Sequence, residues 1–374
     1  MLNLEEEFYS EVDIKVVGVG GCGGNALSNM IRLGLDGIEH IAINTDIQAL
    51  QRCAAPHKIQ IGAKITHGLG SGSDPEIGRN SANEDRDVIS EALRGADIIF
   101  ITAGLGGGTG TGAAPVIAEI AREAGALTIA IVIKPFPFEA YRRSLRAEGA
   151  IKEIKRKVDT LISISNQSLF SSLDGASITS AFRVADEALF QGVRSISDLI
   201  TVPGMINLDL ADVRTVIAEG GRAALAVGMG RGIDRVQVAV EKAMNSPLLE
   251  NKNIQGARGV LINITGGEDL IIKEVKEVAT AVYEATDTHA NVIFGAIVDE
   301  RKKEEIGVTI LATGLKDKDS EEQLSLKFDM EERRSSSQLW RPKQETSMLP
   351  LGLFAQDSHS SDEFDIPTFL RWKK

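Results

Sequence analysis

The sequence predicts an α/β protein with a doubly wound parallel sheet, a long connecting helix, a second and smaller α/β domain, and a disordered C-terminal tail. First, β-branched apolar runs alternate with helix-like segments from Ile14 to about Thr201. Second, the segment ITSAFRVADEALFQGVRSISDLI has no interruption before Val202-Pro203-Gly204, so it indicates one long helix between two domains. Third, the composition changes after Leu315.

Apolar runs in the first part of the chain are the predicted strands of the parallel sheet. They are IKVVGVG, HIAINTD, DIIFITAG, LTIAIVIKP and TLISIS. The segments NALSNMIRLG and PVIAEIAREAG between them have the apolar spacing of amphipathic helices. Because ligands of such sheets bind at the carboxyl ends of the strands, the glycine-rich turns at those ends mark the expected site.

A second unit extends from about Gly221 to Leu315. Its predicted strands are AALAVGMG, GVLINITGG, NVIFGAIVDE and GVTILATG, and its predicted helices are VQVAVEKAM and IIKEVKEVATAVYEA. The chain after Leu315 is polar and rich in serine and mixed charge, with too little apolar surface to offset the entropy of ordering. We expect a disordered linker there.

The final residues, DIPTFLRWKK, restore apolar side chains beside basic ones. Ile366, Phe369 and Leu370 have the spacing of a short helix that forms on a partner. A frayed terminus explains the same pattern equally well.

Composition excludes several classes of protein. The 374 residues are 43% hydrophobic and 25% charged, which is typical of globular proteins with room for two cores. The net charge of -12 argues against a nucleic-acid partner bound through a basic surface. Cys22 and Cys53 are the two cysteines, which suits a reducing cytoplasm and implies no disulfide framework. The acidic N-terminus and the short apolar runs predict neither a signal peptide nor direct membrane insertion.

The first glycine loop, Gly18-Val-Gly20-Gly21-Cys22-Gly23-Gly24-Asn25, follows a predicted strand and precedes a helix expected to begin near Asn25. Glycines there let backbone amides approach a phosphate, and the helix adds free N–H groups. Asp46 ends the next strand about 20 residues later, which completes the dinucleotide fingerprint of a dehydrogenase. A nicotinamide-dependent oxidoreductase is therefore one interpretation.

A second glycine loop favours a different ligand. GLGGGTGTG, residues 104–112, has six glycines in nine residues, and it precedes a helix expected over Ala113–Ala124 with Pro115 in its first turn. Two such loops at neighbouring strand ends suit a di- or triphosphate that is gripped from both sides. The sequence G-x-x-x-x-G-K-[ST] does not occur, so the protein is not a P-loop enzyme.

Several motifs together resemble the FtsZ family of bacterial cell-division GTPases, within the tubulin superfamily. GGCGGNA, NTD, GLGGGTGTGAAP, KPFPFE, ISDLITVPGMINLDLADVRTV, SPLLE and ITGGEDL occur in the family's order and spacing over about residues 12–315. The terminal DIPTFLR resembles the family's partner-binding peptide. The resemblance implies a GTPase that binds GTP or GDP with Mg²⁺ and forms head-to-tail filaments at a midcell ring beneath the inner membrane.

The resemblance also implies roles for individual residues. The expected nucleotide contacts are Gly20, Gly21, Cys22, Gly23, Gly24, Asn25, Asp46, Ala103, Gly104, Gly106, Gly107, Gly108, Thr109, Gly110, Pro135, Glu139, Arg143, Asn166, Phe182 and Asp186. Among them, the glycines and Asn25 would cradle phosphates, and Glu139 and Arg143 would contact the ribose and phosphate region. Asn166, Phe182 and Asp186 would recognise guanine, with Phe182 as a stacking face. No side chain is assigned as a metal ligand.

Asn207, Asp209 and Asp212 form the candidate catalytic group. From spacing alone, Asp209 and Asp212 are more easily explained as the cap and first turn of a helix. The family resemblance instead implies that this loop completes the nucleotide site of the next subunit and positions water for phosphoryl transfer. A scaffold that binds GTP without hydrolysing it is the third hypothesis.

The implied division of the chain has seven parts. They are an N-terminal extension (1–12), a GTP-binding domain (13–176), a connecting helix (177–202), a catalytic loop and following helix (203–220), a C-terminal GTPase-activating domain (221–315), a linker (316–362) and a partner-binding peptide (363–374). Residues Asp365–Arg371 would bind a membrane adaptor such as FtsA or ZipA.

Four positions depart from the family pattern. Cys22 and Ala140 stand where glycine is usual, Ile133 stands in place of threonine, and Trp372 replaces a polar residue. These departures bear on nucleotide affinity, turnover and partner choice.

Overall fold

The computed structural model describes residues 12–170, 178–202, 204–206, 208–249, 254–299 and 302–315. The strands, in chain order, are β1 (Ile14–Val19), β2 (Glu39–Asn44), β3 (His57–Gln60), β4 (Ile98–Gly104), β5 (Leu127–Lys134), β6 (Thr160–Ser165), β7 (Arg222–Arg231), β8 (Gly259–Gly266), β9 (Asn291–Val298) and β10 (Glu305–Leu315). Each strand predicted from an apolar run is present. The short strand β3 was not predicted, because it holds four half-buried or exposed residues without an apolar run.

The α-helices are α1 (Gly20–Arg32), α2 (Ile47–Arg52), α3 (Ala63–Thr66), α4 (Pro75–Glu84), α5 (Arg86–Leu93), α6 (Thr109–Glu123), α7 (Tyr141–Ile154), α8 (Asn166–Phe170), α9 (Ile178–Thr201), α10 (Leu210–Ala218), α11 (Arg235–Met244) and α12 (Ile272–Ala285). A short 3₁₀ helix covers Pro137–Glu139. Helix α9 is the long connecting helix that the sequence predicts.

The described strands form one ten-stranded sheet in the order β3-β2-β1-β4-β5-β6-β7-β10-β8-β9. Pairing is parallel from β3 to β7. It is antiparallel where β10 inserts between β7 and β8, and β8 and β9 are again parallel. The predicted parallel sheet is therefore confirmed for the first part of the chain, whereas the second part has mixed pairing.

Helices cover both faces of the parallel part, which explains why its strands are apolar at nearly every position. In β1, Val16 belongs to the apolar cluster that includes Leu27 of α1 and Leu189 of α9. Its neighbour Val17 belongs to the cluster on the other face, with residues of α6 and α7. This alternation is the doubly wound arrangement. A third cluster packs α11 and α12 against β8 and β10.

Two helices begin earlier than the sequence suggests. Helix α1 begins at Gly20 rather than near Asn25, and α6 begins at Thr109 rather than at Ala113. The poor helix propensity of glycine hides both starts, since the glycine loops themselves turn directly into helix. Pro115 consequently lies inside α6 and not in its first turn.

Candidate functional site

A cavity of about 580 Å³ lies at the carboxyl ends of β2, β1, β4, β5 and β6. Its wall includes Val19 and Asn44 at the ends of β1 and β2, Gly104 and Lys134 at the ends of β4 and β5, and Asn166 directly after β6. The chain order reverses direction between β1 and β4, which is the switch point where open α/β sheets bind ligands. The cavity therefore lies where the sequence predicted the site.

The first glycine loop lies against the second at the floor of this cavity. Gly20 has φ of 72°, and a Cβ there would lie 3.0 Å from the backbone nitrogen of Gly110, so the turn requires glycine. Gly21 differs, because a Cβ on it would meet nothing within 4 Å. Close packing therefore does not explain why residue 21 is glycine. A ligand that occupies the space beside its backbone amide would explain it. Cys22 is not among the positive-φ residues, so its side chain introduces no backbone strain.

The second glycine loop shows the same two kinds of glycine. A Cβ on Gly110 would lie 2.6 Å from the carbonyl oxygen of Gly104, so close packing excludes a side chain there. A Cβ on Gly107 would again meet nothing within 4 Å and would project into open space. The backbone N–H of Gly106 donates to Oγ1 of Thr111 over 2.9 Å, which fixes the loop at the start of α6. At the floor of the cavity, the two loops therefore each contain a glycine beside open space.

A third wall was missed from the sequence. Gly70, Ser71, Gly72 and Ser73 line the cavity, and we call them the serine loop. Its Gly-Ser composition was the available signal, but no strand or helix pattern drew attention to it. Ser71 Oγ and Thr109 Oγ1 are 3.0 Å apart, and Thr109 Oγ1 is 2.7 Å from Thr45 Oγ1. The serine loop is therefore joined to the second glycine loop through a chain of hydroxyl groups.

Two hydrogen-bond acceptors of the cavity wall, Asn166 and Asp186, are only partly satisfied by the protein or are buried. Asn166 is 3% exposed, and its Oδ1 has no donor among the described residues. An unpaired buried acceptor is costly unless a ligand supplies the missing donor. Asp186 of α9 lines the same cavity, where burial raises the pKa of its carboxyl to about 6, against the opposing charge of Arg32. Two acceptors in the wall of one cavity suit the N1–H and exocyclic amine of guanine.

Glu139 and Arg143 form an ion pair beside the cavity, and both line it together with Pro135. Oε1 of Glu139 also accepts a hydrogen bond of 3.0 Å from the backbone N–H of Phe136. The next residue, Ala140, has φ of 108° and ψ of 139°, a conformation that favours glycine strongly. Alanine in the usual glycine position therefore strains the backbone at the wall of the site.

The carboxylate of Asp46, another residue of the cavity wall, has a role within the fold. Oδ1 of Asp46 accepts from the backbone N–H groups of Gln48 at 2.8 Å and Ala49 at 3.1 Å, so Asp46 is the N-cap of α2.

Burial raises the pKa of the Cys22 thiol to about 12, and the negative charges of Asp186 and Glu139 add to the effect. The thiol therefore stays protonated, and it lines the cavity as an uncharged group.

The expected contacts divide into four groups. The cavity is lined by Gly21, Cys22, Asp46, Gly104, Gly107, Gly108, Thr109, Gly110, Pro135, Glu139, Arg143, Asn166 and Asp186. Gly20, Gly24 and Asn25 line a small adjoining recess, whereas Gly23, Ala103 and Gly106 are buried and line neither the cavity nor the recess. Phe182 lies on α9, but its side chain is outside the described residues, so its stacking role stays a prediction.

The segment that carries Asp209 and Asp212, which we call the acidic loop, lies away from this cavity. Asp209 and Asp212 are exposed, and nearby Ile206 pairs with Ala296 of β9. Strand β9 is six strands from β4 and four strands from β6, the nearest strand of the cavity, which corresponds to roughly 29 and 19 Å at the usual strand spacing. The described part of one chain therefore does not bring Asp209 and Asp212 to the cavity. Asn207 lies outside the described residues.

Comparison with known proteins identifies the family. Residues 13–174 match the GTPase domain of the Tubulin/FtsZ family, and residues 221–316 match the C-terminal domain of the FtsZ family. The fold is similar to that of an empty FtsZ dimer from M. jannaschii, with 43% identity over 81% of this chain and 88% of that chain, at a TM-score of 0.77. The chain belongs to the tubulin/FtsZ family.

Other members of the tubulin/FtsZ fold are more distant in sequence. CetZ1 from Haloferax volcanii, a GDP-bound monomer, is 22% identical over 82% of this chain and 95% of its own, with a TM-score of 0.70. CetZ2 from the same organism, a GTPγS-bound protofilament, is 23% identical over 82% and 94%, with a TM-score of 0.68. At this identity the two structures show the shared fold.

Membership of a GTPase family implies guanine-nucleotide binding, and it favours this interpretation over the nicotinamide one. The strand order alone did not separate the two, because β3-β2-β1-β4-β5-β6 is also the order of dinucleotide-binding folds. Within the described ranges, no group of three His, Cys, Asp or Glu side chains could hold a metal ion. The described helices include none with the length and apolar character needed to cross a bilayer.

Proposed function

We propose that this chain is a self-assembling GTPase that forms head-to-tail filaments for cell division and hydrolyses GTP between subunits. The observation that carries the proposal is the separation between the cavity and the loop that holds Asp209 and Asp212. The nucleotide cavity lies at the ends of β2 to β6, while Asp209 and Asp212 lie near β9, roughly 19 Å along the sheet from β6, the nearest strand of the cavity. A second copy that presents its acidic loop to the cavity would complete the site.

Exposed apolar side chains at both places support this contact. Leu69, Phe138 and Tyr141, next to residues that line the cavity, are 84%, 69% and 75% exposed. Near the acidic loop, Met205, Ile271 and Ile272 line an apolar groove and are 72%, 54% and 85% exposed. Exposed apolar patches of this kind mark interaction surfaces. Because the two surfaces differ, their contact is heterologous and generates an open filament instead of a closed pair.

The residues of the cavity would hold the nucleotide in a defined direction. Asn166 and Asp186 would accept hydrogen bonds from guanine, while the amides around Gly21 and Gly107 would donate to the phosphates. Adenine does not present two donors in this arrangement, so the pair favours guanine. Glu139 and Arg143, which also line the cavity, would contact the ribose and phosphate region, as the family resemblance implies.

The acidic loop of the neighbouring subunit would supply the remaining chemistry. The carboxylates of Asp209 and Asp212 would orient a water molecule toward the γ-phosphate and accept its proton as it attacks. Loss of that phosphate would weaken the contact between subunits, so hydrolysis would drive filament turnover. Asn207 would assist them, as the family resemblance implies.

Mg²⁺ would be held chiefly by the phosphates of the substrate and by water. Oδ1 of Asp46 already caps α2, and within the described residues no group of three His, Cys, Asp or Glu side chains could hold the ion. Such coordination is usual for this ion, which neutralises the charge of the phosphates.

The cellular part of the proposal rests on the family. We place the filaments in the cytoplasm at the midcell division ring of a bacterial cell, beneath the inner membrane. The peptide Asp365–Arg371 would bind an adaptor such as FtsA or ZipA, and the linker before it would separate the filament from the membrane. These segments lie outside the described residues.

The first experiment measures phosphate release from GTP as protein concentration rises, with light scattering recorded in the same sample. We expect turnover per molecule to be negligible in dilute protein and to rise steeply as scattering appears. Turnover per molecule that stays constant at high dilution would mean a self-contained site. Assembly without phosphate release would instead support the non-hydrolysing scaffold.

A further inference from the structure

The apolar groove near the acidic loop is formed by one face of α12 together with the neighbouring strand β9. Its volume is about 500 Å³, and Phe294 is one of the residues that β9 contributes to it. On α12, the lining residues Ile272, Val275, Ala279 and Tyr283 recur at the spacing of one helix face, over roughly 16 Å of the helix axis. Ile272 and Tyr283 are 85% and 50% exposed. The groove therefore offers an elongated apolar surface to a partner.

One cation lies in the wall of the groove. Lys276 is the only charged residue among the described residues that line it, and it is exposed. Within the part of the chain that the structure describes, Lys276 forms no ion pair, whereas Lys273 of the same helix lies 3.7 Å from Glu277. A lone charge beside an apolar surface favours a partner of opposite sign. The groove therefore fits an apolar segment that carries acidic residues at one end.

The chain itself contains a segment of this chemistry, residues 365–371, which we call the C-terminal peptide. Ile366, Phe369 and Leu370 recur at the spacing of one helix face, as in helices that bind apolar grooves. Acidic residues occupy three of the four positions 362–365, directly before Ile366. A helix formed in the groove would cover the apolar face of α12 and bring these carboxylates near the cation of the groove wall.

A second apolar run after Leu315 fits the groove less well. It comprises residues 348–354, where Pro350 and Gly352 interrupt any helical spacing and no charged residue occurs. In the C-terminal peptide, by contrast, Pro367 would lie in the first turn of the expected helix, where proline is tolerated. The C-terminal peptide is therefore the occupant that the groove matches in both apolar spacing and charge.

The described part of the chain ends close to the groove. Thr313, near the end of β10, pairs with Gly259 at the start of β8. Leu270 of the groove lies against Gly266 at the other end of β8, since a Cβ on Gly266 would be 3.1 Å from the Cβ of Leu270. The two ends of β8 are roughly 24 Å apart at the usual rise of a strand.

The sequence between β10 and the C-terminal peptide is long enough to cover that distance. Residues 316–364 are polar in composition, and a flexible chain of this length has a root-mean-square span of roughly 40 Å. Because the span exceeds the distance only modestly, the effective concentration of the peptide at the groove is roughly 1 mM. A dissociation constant of about 0.1 mM would then keep the groove about 90% occupied.

We propose that the apolar groove of an unassembled subunit binds the C-terminal peptide of the same chain, and that this contact opposes assembly. The proposal rests on the proposed function, in which the groove belongs to the contact between subunits. Met205 and Ile206, which precede the acidic loop, also line the groove, so the bound peptide would cover the surface that a second copy needs. An adaptor that binds the peptide instead would free the groove and promote assembly by the same free energy.

The first test uses the two tryptophans of the chain, Trp340 and Trp372, which both follow Leu315. In full-length protein with Trp340→Phe and bound GDP, the emission of Trp372 reports on the C-terminal peptide. Ile272→Glu adds a charge to the groove at an exposed position. Ile233→Glu is the matched control, since Ile233 is also exposed and lies outside the groove.

We expect Trp372 to emit at shorter wavelength in the Trp340→Phe protein than after the further change Ile272→Glu, with iodide quenching at least twofold weaker. Ile233→Glu should change neither property. Identical emission in all three proteins would overturn the docking. Emission that shifts as the protein is diluted would mean that the peptide binds a second copy, which also contradicts a contact within one chain.

The second test compares assembly of two full-length tail variants. Phe369→Ser removes an apolar side chain from the C-terminal peptide, and Phe354→Ser makes the same change in the other apolar run. If the groove is about 90% occupied, Phe369→Ser should lower the protein concentration at which light scattering and phosphate release appear by about tenfold. Phe354→Ser should behave as the wild type does.

Equal assembly thresholds for Phe369→Ser and Phe354→Ser would refute the inhibitory contact while the self-assembling GTPase stands. If the wild type does not assemble with GTP at any concentration, the proposed function fails. The emission of Trp372 in unassembled protein still decides, in that case, whether the C-terminal peptide binds the groove.

Discussion

The backbone N–H of Asp212 donates a hydrogen bond of 2.7 Å to Oδ1 of Asp209, which makes Asp209 the N-cap of α10. The capping explanation that spacing alone favours is therefore present in the structure. It leaves the proposed catalytic role open to test, because a cap and a catalytic carboxylate respond differently to substitution. Asparagine caps helices as well as aspartate does, but it carries no charge.

Substitution of Asp209 should accordingly separate stability from activity. Asp209→Ala should lower the free energy of unfolding by about 1 kcal/mol, whereas Asp209→Asn should leave it nearly unchanged. Both should reduce assembly-dependent phosphate release at least tenfold, by loss of the charge that orients water. Urea unfolding and phosphate release on the same preparations check this. Wild-type turnover in Asp209→Asn would show that Asp209 is a cap without a catalytic role.

The glycines of the two phosphate-facing loops should fall into two classes. Gly107→Ala places a methyl group in open space and should keep nearly wild-type stability while it blocks nucleotide binding. Gly110→Ala places its methyl 2.6 Å from the Gly104 carbonyl oxygen and should destabilise the protein itself, by about 1–3 kcal/mol. Thermal unfolding and GDP titration of both variants check the contrast. Unimpaired GDP binding by Gly107→Ala would show that this amide does not face the phosphates.

Nucleotide affinity should depend on the protonation of Asp186. Burial raises the pKa of its carboxyl to about 6, so the group is ionised at pH 7.5 and mostly protonated at pH 5. Guanine donates to the ionised form, so affinity should be highest above pH 6 and fall as the pH drops through 6, by about tenfold at pH 5. GDP titrations across this range give the profile.

Asp186→Asn is the control for that profile. The terminal phosphate of GDP titrates in the same range, and its contribution remains in the variant. The difference between the two profiles therefore isolates Asp186. Identical profiles for the wild type and Asp186→Asn would place the carboxylate away from the base.

The strain at Ala140 should be measurable as stability. Its φ of 108° favours glycine, so Ala140→Gly should raise the free energy of unfolding by about 1 kcal/mol despite the added entropy of the unfolded chain. Ala124 is the matched control, as an exposed alanine with φ of -70°, and Ala124→Gly should lower stability by up to about 1 kcal/mol. Urea unfolding of both variants and the wild type gives the free energies of unfolding that check this prediction. A loss of stability in Ala140→Gly would mean that the strained conformation is absent in solution.

Much of the fold was predictable because its signals are local. Apolar runs such as that of β5 are strands covered on both faces, and the helical period of α9 continues without a break to Val202. The starts of α1 and α6 were not predictable, because tertiary contacts hold glycines in helical conformation against their propensity. The pairing of β10 with both β7 and β8 was not predictable either, because it depends on contacts between residues that are distant in sequence.

The candidate site was predictable to a similar extent. Dense glycine indicates phosphate-facing amides, and Asn166 and Asp186 come from the family resemblance, since they lie outside the quoted motifs. The serine loop was missed because its importance comes from Thr109 and Arg146, which are distant in sequence. The strain at Ala140 depends on a backbone angle, which the sequence suggests only as a departure from glycine.

The central claim is that two subunits share one active site, and mixing two inactive variants tests it most directly. Gly107→Val blocks the cavity but keeps the acidic loop, while Asp212→Asn keeps the cavity but removes a carboxylate. Each alone should release almost no phosphate from GTP. In an equal mixture, half of the cavities and half of the loops are intact, so up to about one quarter of the contacts should be active. Recovery of turnover toward that level is the predicted result, and a mixture as inactive as its two components would contradict the shared site.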